Sequence, residues 1–152
     1  MDFRLYQPAD FPGLYAIEGI CFQPPIRFPR SHLRRLIERP NAATWIAKED
    51  AVAAGFTIVE WSGTPQDRTA YIQTIEVLPE FRRRGIGLEL LRRAESSAQS
   101  AGAREIWLHV ETTNEPALRL YRARGYDLRG IQTHYYARHR DANLFSKSLR
   151  MG

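Results

Sequence analysis

The chain has 152 residues, of which 43% are hydrophobic and 26% charged, a composition typical of a globular domain and unlike that of disordered or fibrous proteins. Cys21 is the only cysteine, which excludes an internal disulfide and a cysteine-rich zinc site. The formal net charge of +5 is compatible with nucleic acid, a ribosome surface or a phosphate-rich ligand. No apolar run approaches the roughly 18 residues of a membrane span, and the first residues lack the pattern of a secretory signal. We therefore expect a single domain over residues 1–152 that is cytoplasmic and makes no membrane contact.

The first half of the chain predicts a short strand, two helices and a hairpin. Asp10 is the expected N-cap of the first helix, whose apolar residues recur at helical spacing from Phe11 to Cys21. Ser31 is the expected start of the second helix. The other segments are an opening strand, a proline-rich loop, two hairpin strands and an exposed turn, at residues 3–5, 23–29, 43–50, 52–61 and 62–68.

The second half predicts a strand–helix–strand crossover followed by a helix and two strands. Residues 70–78 are rich in β-branched and aromatic side chains, as in a buried strand. A helix is expected from about Arg84 to Ala101, with Gly102 as its C-terminal stop. It leads into a strand over residues 104–111, which should lie parallel to the first. The remaining elements are a helix capped by Asn114 and ended by Gly125, and strands at residues 126–136 and 142–149, which completes a mixed α/β layout.

The start of the third expected helix gathers positive charge beside glycine, in the order Arg82, Arg83, Arg84, Gly85, Ile86, Gly87. Each cation at a helix N-terminus is unfavourable by roughly 0.3–1 kcal/mol, so an anionic ligand is expected there. A Walker loop is excluded because Gly-Lys-Ser/Thr is missing, and the dinucleotide fingerprint because Leu90 replaces its third glycine. Glycines that admit a close ligand, together with unpaired first-turn amides, suit a pyrophosphate. The alternative is a solvated basic surface with glycines that only turn the chain.

Two segments resemble the cofactor-binding motifs of the GNAT acetyltransferases: YIQTIEVLPEFRRRGIGLELL, residues 71–91, and LHVETTNEPALRLYRARGYDL, residues 108–128. The first contains the family pattern Arg/Gln-x-x-Gly-x-Gly/Ala. The resemblance extends over roughly residues 70–150 and implies the acyl-CoA N-acyltransferase fold, a central twisted mixed sheet flanked by helices in which two parallel strands splay. It also implies acetyl-CoA as the cosubstrate and a reaction that requires no metal.

The resemblance further implies a set of cofactor-binding residues. In this family the pyrophosphate rests on the amides of the glycine turn, and the pantetheine arm pairs with the first splayed strand. Asn114 matches a position that hydrogen-bonds the arm, and Tyr121 matches the tyrosine beside the thioester sulfur. The implied set is Ile75, Glu76, Val77, Arg82, Arg83, Arg84, Gly85, Ile86, Gly87, Leu88, Asn114 and Tyr121.

Acetyl transfer requires a neutral amine, a polarised thioester carbonyl and a proton for the departing thiolate. His109 is expected to point into the splayed gap, and an imidazole with a pKa of about 6.5 is a competent base. Tyr121 is the expected acid. Together with THYY, residues 133–136, the two segments resemble the protein Nα-acetyltransferases. One branch of that subfamily has a histidine base at the position of His109, assisted through water by a tyrosine at that of Tyr71; the bacterial ribosomal-protein branch has glutamate instead of histidine.

A comparison of pKa values favours an α-amine as the acceptor. Neutralising a peptide α-amine at pH 7 costs about 1 kcal/mol, and neutralising a lysine side chain costs about 4–5 kcal/mol. The subfamily resemblance places Phe28 and Pro29 in the wall of the peptide pocket, and Tyr135 and Tyr136 on the peptide backbone. The tyrosine pair could instead pack on the core. Arg30 and the short basic segment at residues 137–142 depart from the subfamily, which leaves the preferred first residue of the substrate open.

The sequence therefore indicates an acetyl-CoA-dependent N-acetyltransferase acting on a protein or peptide N-terminus, with a ribosomal protein among the candidates. The alternatives are an acetyltransferase for a small-molecule amine, where the basic surface disfavours polycations, and an acetyl-CoA-binding module without turnover. Nucleic acid is not expected, because the cofactor phosphates account for the arginines. A metal is not expected either, because the spacings of Cys21, His32, His134 and His139 fit no standard cage. A monomer and a homodimer are both compatible with the sequence.

Overall fold

The computed structural model describes residues 1–22 and 26–149, so residues 23–25 of the predicted proline-rich loop lie outside the described part. The strands are β1 (Asp2–Leu5), β2 (Ala42–Glu49), β3 (Val52–Ser62), β4 (Thr69–Val77), β5 (Glu105–Glu111), β6 (Asp127–Ala137) and β7 (Arg140–Ser148). The helices are α1 (Phe11–Cys21), α2 (Arg30–Glu38), α3 (Ile86–Ser100) and α4 (Glu115–Ala123). In the described part of the chain, none of the helices has both the length and the apolar character needed to cross a membrane.

The strands form one mixed sheet in the order β1-β2-β3-β4-β5-β7-β6. Neighbouring strands are antiparallel except β4 and β5, which are parallel because the α3 crossover joins them. The predicted mixed α/β fold with a parallel central pair is therefore confirmed.

The parallel pair is short, and this opens the sheet at its centre. β4 pairs with β5 only from Thr69 opposite Glu105 to Ile72 opposite Leu108. At the next position the ladder between β3 and β4 is bulged, because Gln73 has no partner between the pairs formed by Ile72 and Thr74. A bulge bends its strand and increases the local twist. From Gln73 onwards, the last five residues of β4 face a gap, whereas β5 stays paired with β7.

Two apolar layers cover the two faces of the sheet. Alternation along β5 sends Ile106, Leu108 and Val110 into the layer shared with α3 and α4. The opposite layer joins α1 and α2 to the middle of β2 and β3, and it consists of Phe11, Leu14, Ile17, Leu33, Leu36, Ile46, Phe56 and Ile58. His109 lies between Leu108 and Val110 on β5 and therefore points to the α1 and α2 face.

Asp10 occupies the predicted N-cap position of α1, but its side chain does not cap the helix. Asp10 makes no side-chain hydrogen bond to the start of α1. Its carboxylate instead accepts from the Gln7 amide at 2.8 Å and from both terminal nitrogens of Arg4 at 2.7 and 2.8 Å. A bidentate pair with a guanidinium, in which both partners are charged, is stronger than a single bond from a backbone amide, so the nearby Arg4 draws the carboxylate away from the helix.

Other helix ends follow the predictions more closely. The Asn114 cap is confirmed, because its Oδ1 accepts from the Ala117 amide at 3.3 Å. α2 begins one residue before the predicted Ser31. α3 begins at Ile86 instead of near Arg84, because Gly85 has a left-handed backbone (φ +77°) that an α-helix cannot include.

Candidate active site

A cavity of about 500 Å³ opens where β4 and β5 diverge. It brings together residues of β4, β5, α1, α4 and β6 that are distant in sequence. The predicted site residues that line it are Phe28, Tyr71, Ile75, His109, Asn114, Tyr121, Tyr135 and Tyr136. Pro29 is exposed at the start of α2 and does not line the cavity, nor do the side chains of Glu76 and Val77.

His109 is held at both ring nitrogens. Its Nδ1 lies 2.6 Å from the Tyr71 hydroxyl, and its Nε2 is hydrogen-bonded to Oε1 of Gln132. An amide oxygen only accepts, so Nε2 carries the proton and Nδ1 accepts from the phenol. The lone pair that could take a further proton is therefore directed to Tyr71.

Burial shifts the pKa values of this pair in opposite directions. It lowers the pKa of His109, because the positive form loses hydration, and the hydrogen bond to Gln132 offsets only part of that effect. Burial raises the pKa of Tyr71, and the hydrogen bond with Tyr135 adds to the rise. At neutral pH the site therefore contains a neutral imidazole and a protonated phenol in contact.

The aromatic residues of β6 form one wall of the cavity. Tyr135 stacks on the His109 ring, with centroids 4.2 Å apart and planes 11° apart. Tyr136 meets Tyr135 edge-on at 4.9 Å. This stack fixes the plane of the imidazole.

Tyr121 reaches the cavity from the other face of the sheet. Its ring lies in the apolar layer beneath α3, 5.7 Å from the Tyr126 ring and 6.4 Å from the Phe145 ring. Its hydroxyl makes no hydrogen bond to residues 1–22 and 26–149 and is not fully buried, so it opens to the cavity. Burial raises the pKa of Tyr121, so the phenol keeps its proton.

The glycine turn presents an uncapped helix N-terminus. No side chain caps α3, and its first intrahelical bond runs from the Glu89 amide to the Gly85 carbonyl at 3.1 Å. Within the described residues, the amides of Ile86, Gly87 and Leu88 have no acceptor. Arg83 and Gly85 both adopt left-handed backbone conformations, which turn these amides outward.

Two of the three arginines of the turn contact different groups. Arg82 donates through Nε to the Val77 carbonyl at 3.0 Å. Arg84 lies over the Phe81 ring and 3.5 Å from a Glu49 carboxylate oxygen. The Arg82 bond also occupies one backbone acceptor of the β4 edge that the sequence assigns to the cofactor arm.

Sequence reasoning missed several polar residues of the site, among them Gln132 and Glu18. Gln132 hydrogen-bonds His109, and Glu18 of α1 lies fully buried beside the cavity. Gln132 sits in an exposed, irregular stretch of β6 that carries no periodic signal. Glu18 did carry a signal, because it is a carboxylate on the apolar stripe of an amphipathic helix.

Comparisons with known proteins point to one enzyme family. The sequence profile of the acetyltransferase (GNAT) family matches residues 11–126. Streptothricin acetyltransferase of Streptomyces lavendulae is 37% identical over 100 residues, which cover 65% of this chain and only about half, 52%, of that protein. The N-alpha-acetyltransferase of Sulfurisphaera tokodaii is 30% identical over 96% of this chain and 83% of its own length. The crystal structure of the ribosomal-protein-S18-alanine N-acetyltransferase of Escherichia coli superposes with a TM-score of 0.86 at 21% identity, covering 99% of this chain and 95% of that one, which shows a common fold.

Proposed function

The chain belongs to the GNAT acetyltransferase family, and we propose that it transfers the acetyl group of acetyl-CoA directly to the α-amine of a protein or peptide N-terminus. The observation that carries this proposal is the placement of His109 with Tyr71 and of Tyr121 on opposite faces of one cleft. A thioester in that cleft would have a base on the acceptor side and an acid on the other.

The cofactor would span the glycine turn and the cleft. The free amides of Ile86, Gly87 and Leu88 would bind the diphosphate, aided by the positive end of α3. The pantetheine arm would enter the gap beside Ile75 and extend to Asn114 and Tyr121. Because Arg82 holds the Val77 carbonyl, the arm would pair with the other backbone groups of that edge unless Arg82 moves.

The chemistry would pass one proton along the pair on the α1 face. Tyr71 would accept the proton of the attacking amine, directly or through water, as it gives its own to Nδ1 of His109. The Tyr121 hydroxyl, which lacks a protein partner in the described structure, would donate to the departing thiolate. A neutral imidazole suits an amine with a pKa near 7.7–8.0 better than one near 10.4.

The acceptor pocket supports a peptide substrate. Phe28, Tyr135 and Tyr136 give it aromatic walls of the kind that hold an extended backbone. The relative from Sulfurisphaera tokodaii, matched over nearly the whole chain, is named an N-alpha-acetyltransferase. A ribosomal-protein N-terminus is one member of this substrate class.

A small-molecule amine is the second candidate. It is favoured by the 37% identity to streptothricin acetyltransferase, although the match covers 52% of that protein. The cavity of about 500 Å³ has room for either kind of acceptor.

The deciding experiment is incubation with acetyl-CoA and a panel of acceptors, read by mass spectrometry. The panel contains peptides differing in their first residue, including ribosomal-protein N-termini, the same peptides with blocked N-termini and an internal lysine, and streptothricin. Acetylation of the free N-termini alone is the expected result. Acetylation of streptothricin alone would favour the second candidate, and calorimetric binding of coenzyme A without any product would overturn both.

The two glycines of the turn provide a paired test of the cofactor site. Gly85→Ala forces an alanine into a left-handed conformation, at a cost of roughly 1–2 kcal/mol. We expect this to distort the turn and weaken coenzyme A binding about tenfold, equivalent to 1.4 kcal/mol, as measured by calorimetry.

Gly87→Ala is the matched control. Its added Cβ would lie 3.7 Å from Leu120 Cδ2 and 3.9 Å from Val77 Cγ2, which are ordinary contacts. Its coenzyme A affinity should therefore equal that of the parent protein. Equal losses in the two variants would contradict a specific role for the Gly85 conformation.

A further inference from the structure

Two buried carboxyl groups on the α1 face of the cleft have no part in the proposed transfer. Glu18 of α1 is 0% exposed and Glu76 of β4 is 2% exposed. Within the described chain, neither forms an ion pair with an arginine, lysine or histidine. A carboxylate buried without a cation is so unfavourable that such groups retain a proton or find a donor.

The two groups have one satisfied oxygen each. Oε2 of Glu18 accepts from the Phe28 amide at 3.0 Å, and Oε2 of Glu76 accepts from the Thr74 hydroxyl at 2.8 Å. The two Oε1 atoms are buried and meet no N–H or O–H donor of the described residues. A hydrogen bond with the Glu18 carboxyl group is one cause of the raised pKa of Glu76, and such a bond requires a proton on one of the two groups. Burial, followed by this contact and the negative charge of Glu18, raises the pKa of Glu76 well above its ordinary value.

The pair lies between the acceptor side and the cofactor side of the site. Glu18 holds the amide of Phe28, which lines the acceptor side of the cavity. Glu76 lies between Ile75 and Val77, in the β4 edge proposed for the cofactor arm. A hydrogen bond between the two carboxyl groups would therefore connect the acceptor wall with the cofactor strand.

We propose that Glu18 and Glu76 share one proton and act as a positioning pair that fastens the Phe28 wall to β4, so that the acceptor pocket keeps its shape only while that proton is bound. The consequence for catalysis rests on the proposed function, whereas the shared proton and the fastening of Phe28 do not.

Several neighbours act on the charge of this pair. Cys21 lies one turn along α1, and burial together with the two carboxyl groups raises its thiol pKa to about 11. The Arg82 guanidinium is 4.0 Å from the Cys21 sulfur, and that of Arg27 lies against Gly19 of α1. The pKa of Glu76 is raised in the folded protein. The stabilisation of the folded state by the bound proton is therefore fully present below the ordinary glutamate pKa and is lost as pH rises through the folded pKa.

The test compares the parent protein with Glu76→Gln. The glutamine amide donates to Glu18 at every pH and so replaces the proton permanently. With a competent acceptor, the ratio of the parent KM to the variant KM should rise about tenfold per pH unit above the pKa of the pair. The ratio cancels titration of His109 and of the acceptor amine, which occur in both proteins. kcat should change much less than KM.

A second measurement requires no activity. Hydrogen exchange at the Phe28 amide, followed by NMR and compared with the base-catalysed rate of an unprotected amide, should show a protection that falls in the parent as pH rises through the pKa of Glu76 and stays constant in Glu76→Gln. The infrared band of a protonated carboxylic acid should persist to a higher pH in the parent than in Glu76→Gln. Identical exchange profiles, a constant KM ratio or a band lost at the same pH in both proteins would overturn the proposal. If no acceptor is acetylated, the proposed function fails while Phe28 exchange still decides this inference.

Discussion

Replacing His109 with alanine is expected to lower kcat/KM for acetyl transfer by roughly 10²–10⁴-fold, the usual contribution of a positioned acid or base. The substitution removes the imidazole that accepts from Tyr71 and stacks on Tyr135. Coenzyme A affinity should be unchanged, because the glycine turn and the β4 edge lie apart from this side chain. Steady-state kinetics and calorimetry on the same preparation measure the two effects.

The pH dependence of kcat should also report the role of His109 as the base. The base must be neutral, and burial lowers the pKa of His109 below its ordinary 6.5. We therefore expect kcat of the parent protein to fall only in acid, as pH drops through that lowered value, and this limb to be lost in His109→Ala.

His139→Asn serves as the matched control. His139 lies in the turn between β6 and β7, away from the cavity, and its left-handed backbone (φ +61°) is one that asparagine tolerates. Its activity and pH profile should equal those of the parent. An unchanged rate in His109→Ala would remove the histidine from the mechanism.

Local sequence rules predict most of the framework of this protein. Strict alternation at residues 105–111 marked β5 and the face that carries His109. Both ends of α4 could be predicted, from Asn114 and Pro116 at its start and Gly125 after its end. The preference of each of these residues for a helix end depends only on its immediate neighbours in sequence. The predicted start of α3 lies two residues before the observed one, since the arginines before Gly85 are good helix formers in isolation.

The site depends on features that local rules do not encode. The cleft exists because β4 leaves β5 after four pairs, which follows from the bulge at Gln73 and the twist of the whole sheet. Gln132 reaches His109 only because the register between β6 and β7 slips beyond it. Glu18 was readable in principle, but its partner Glu76 lies 58 positions away, and only the packing of α1 on β4 brings them together.

Replacing Tyr121 with phenylalanine is expected to reduce kcat by about 10²-fold and to leave the free energy of unfolding nearly unchanged. Its hydroxyl has no hydrogen-bond partner in the described structure, so removing the oxygen breaks no bond of the folded state. The aromatic ring, which packs against Tyr126 and Phe145, is retained. Turnover with a competent acceptor and chemical denaturation measure the two quantities.

Tyr126→Phe should give the reverse result, a loss of stability with unchanged turnover. The Tyr126 hydroxyl donates to the buried carboxylate of Glu95 at 2.9 Å, and a hydrogen bond to a charged group contributes about 1.5–3 kcal/mol. Arg124 and Lys147 still hold that carboxylate in the variant, so the loss should fall at the low end of this range. Tyr126 does not line the cavity, and kcat should therefore be unchanged. Loss of activity in both variants in proportion to lost stability would assign Tyr121 to packing, whereas a rate effect confined to Tyr121→Phe identifies its phenol as the proton donor.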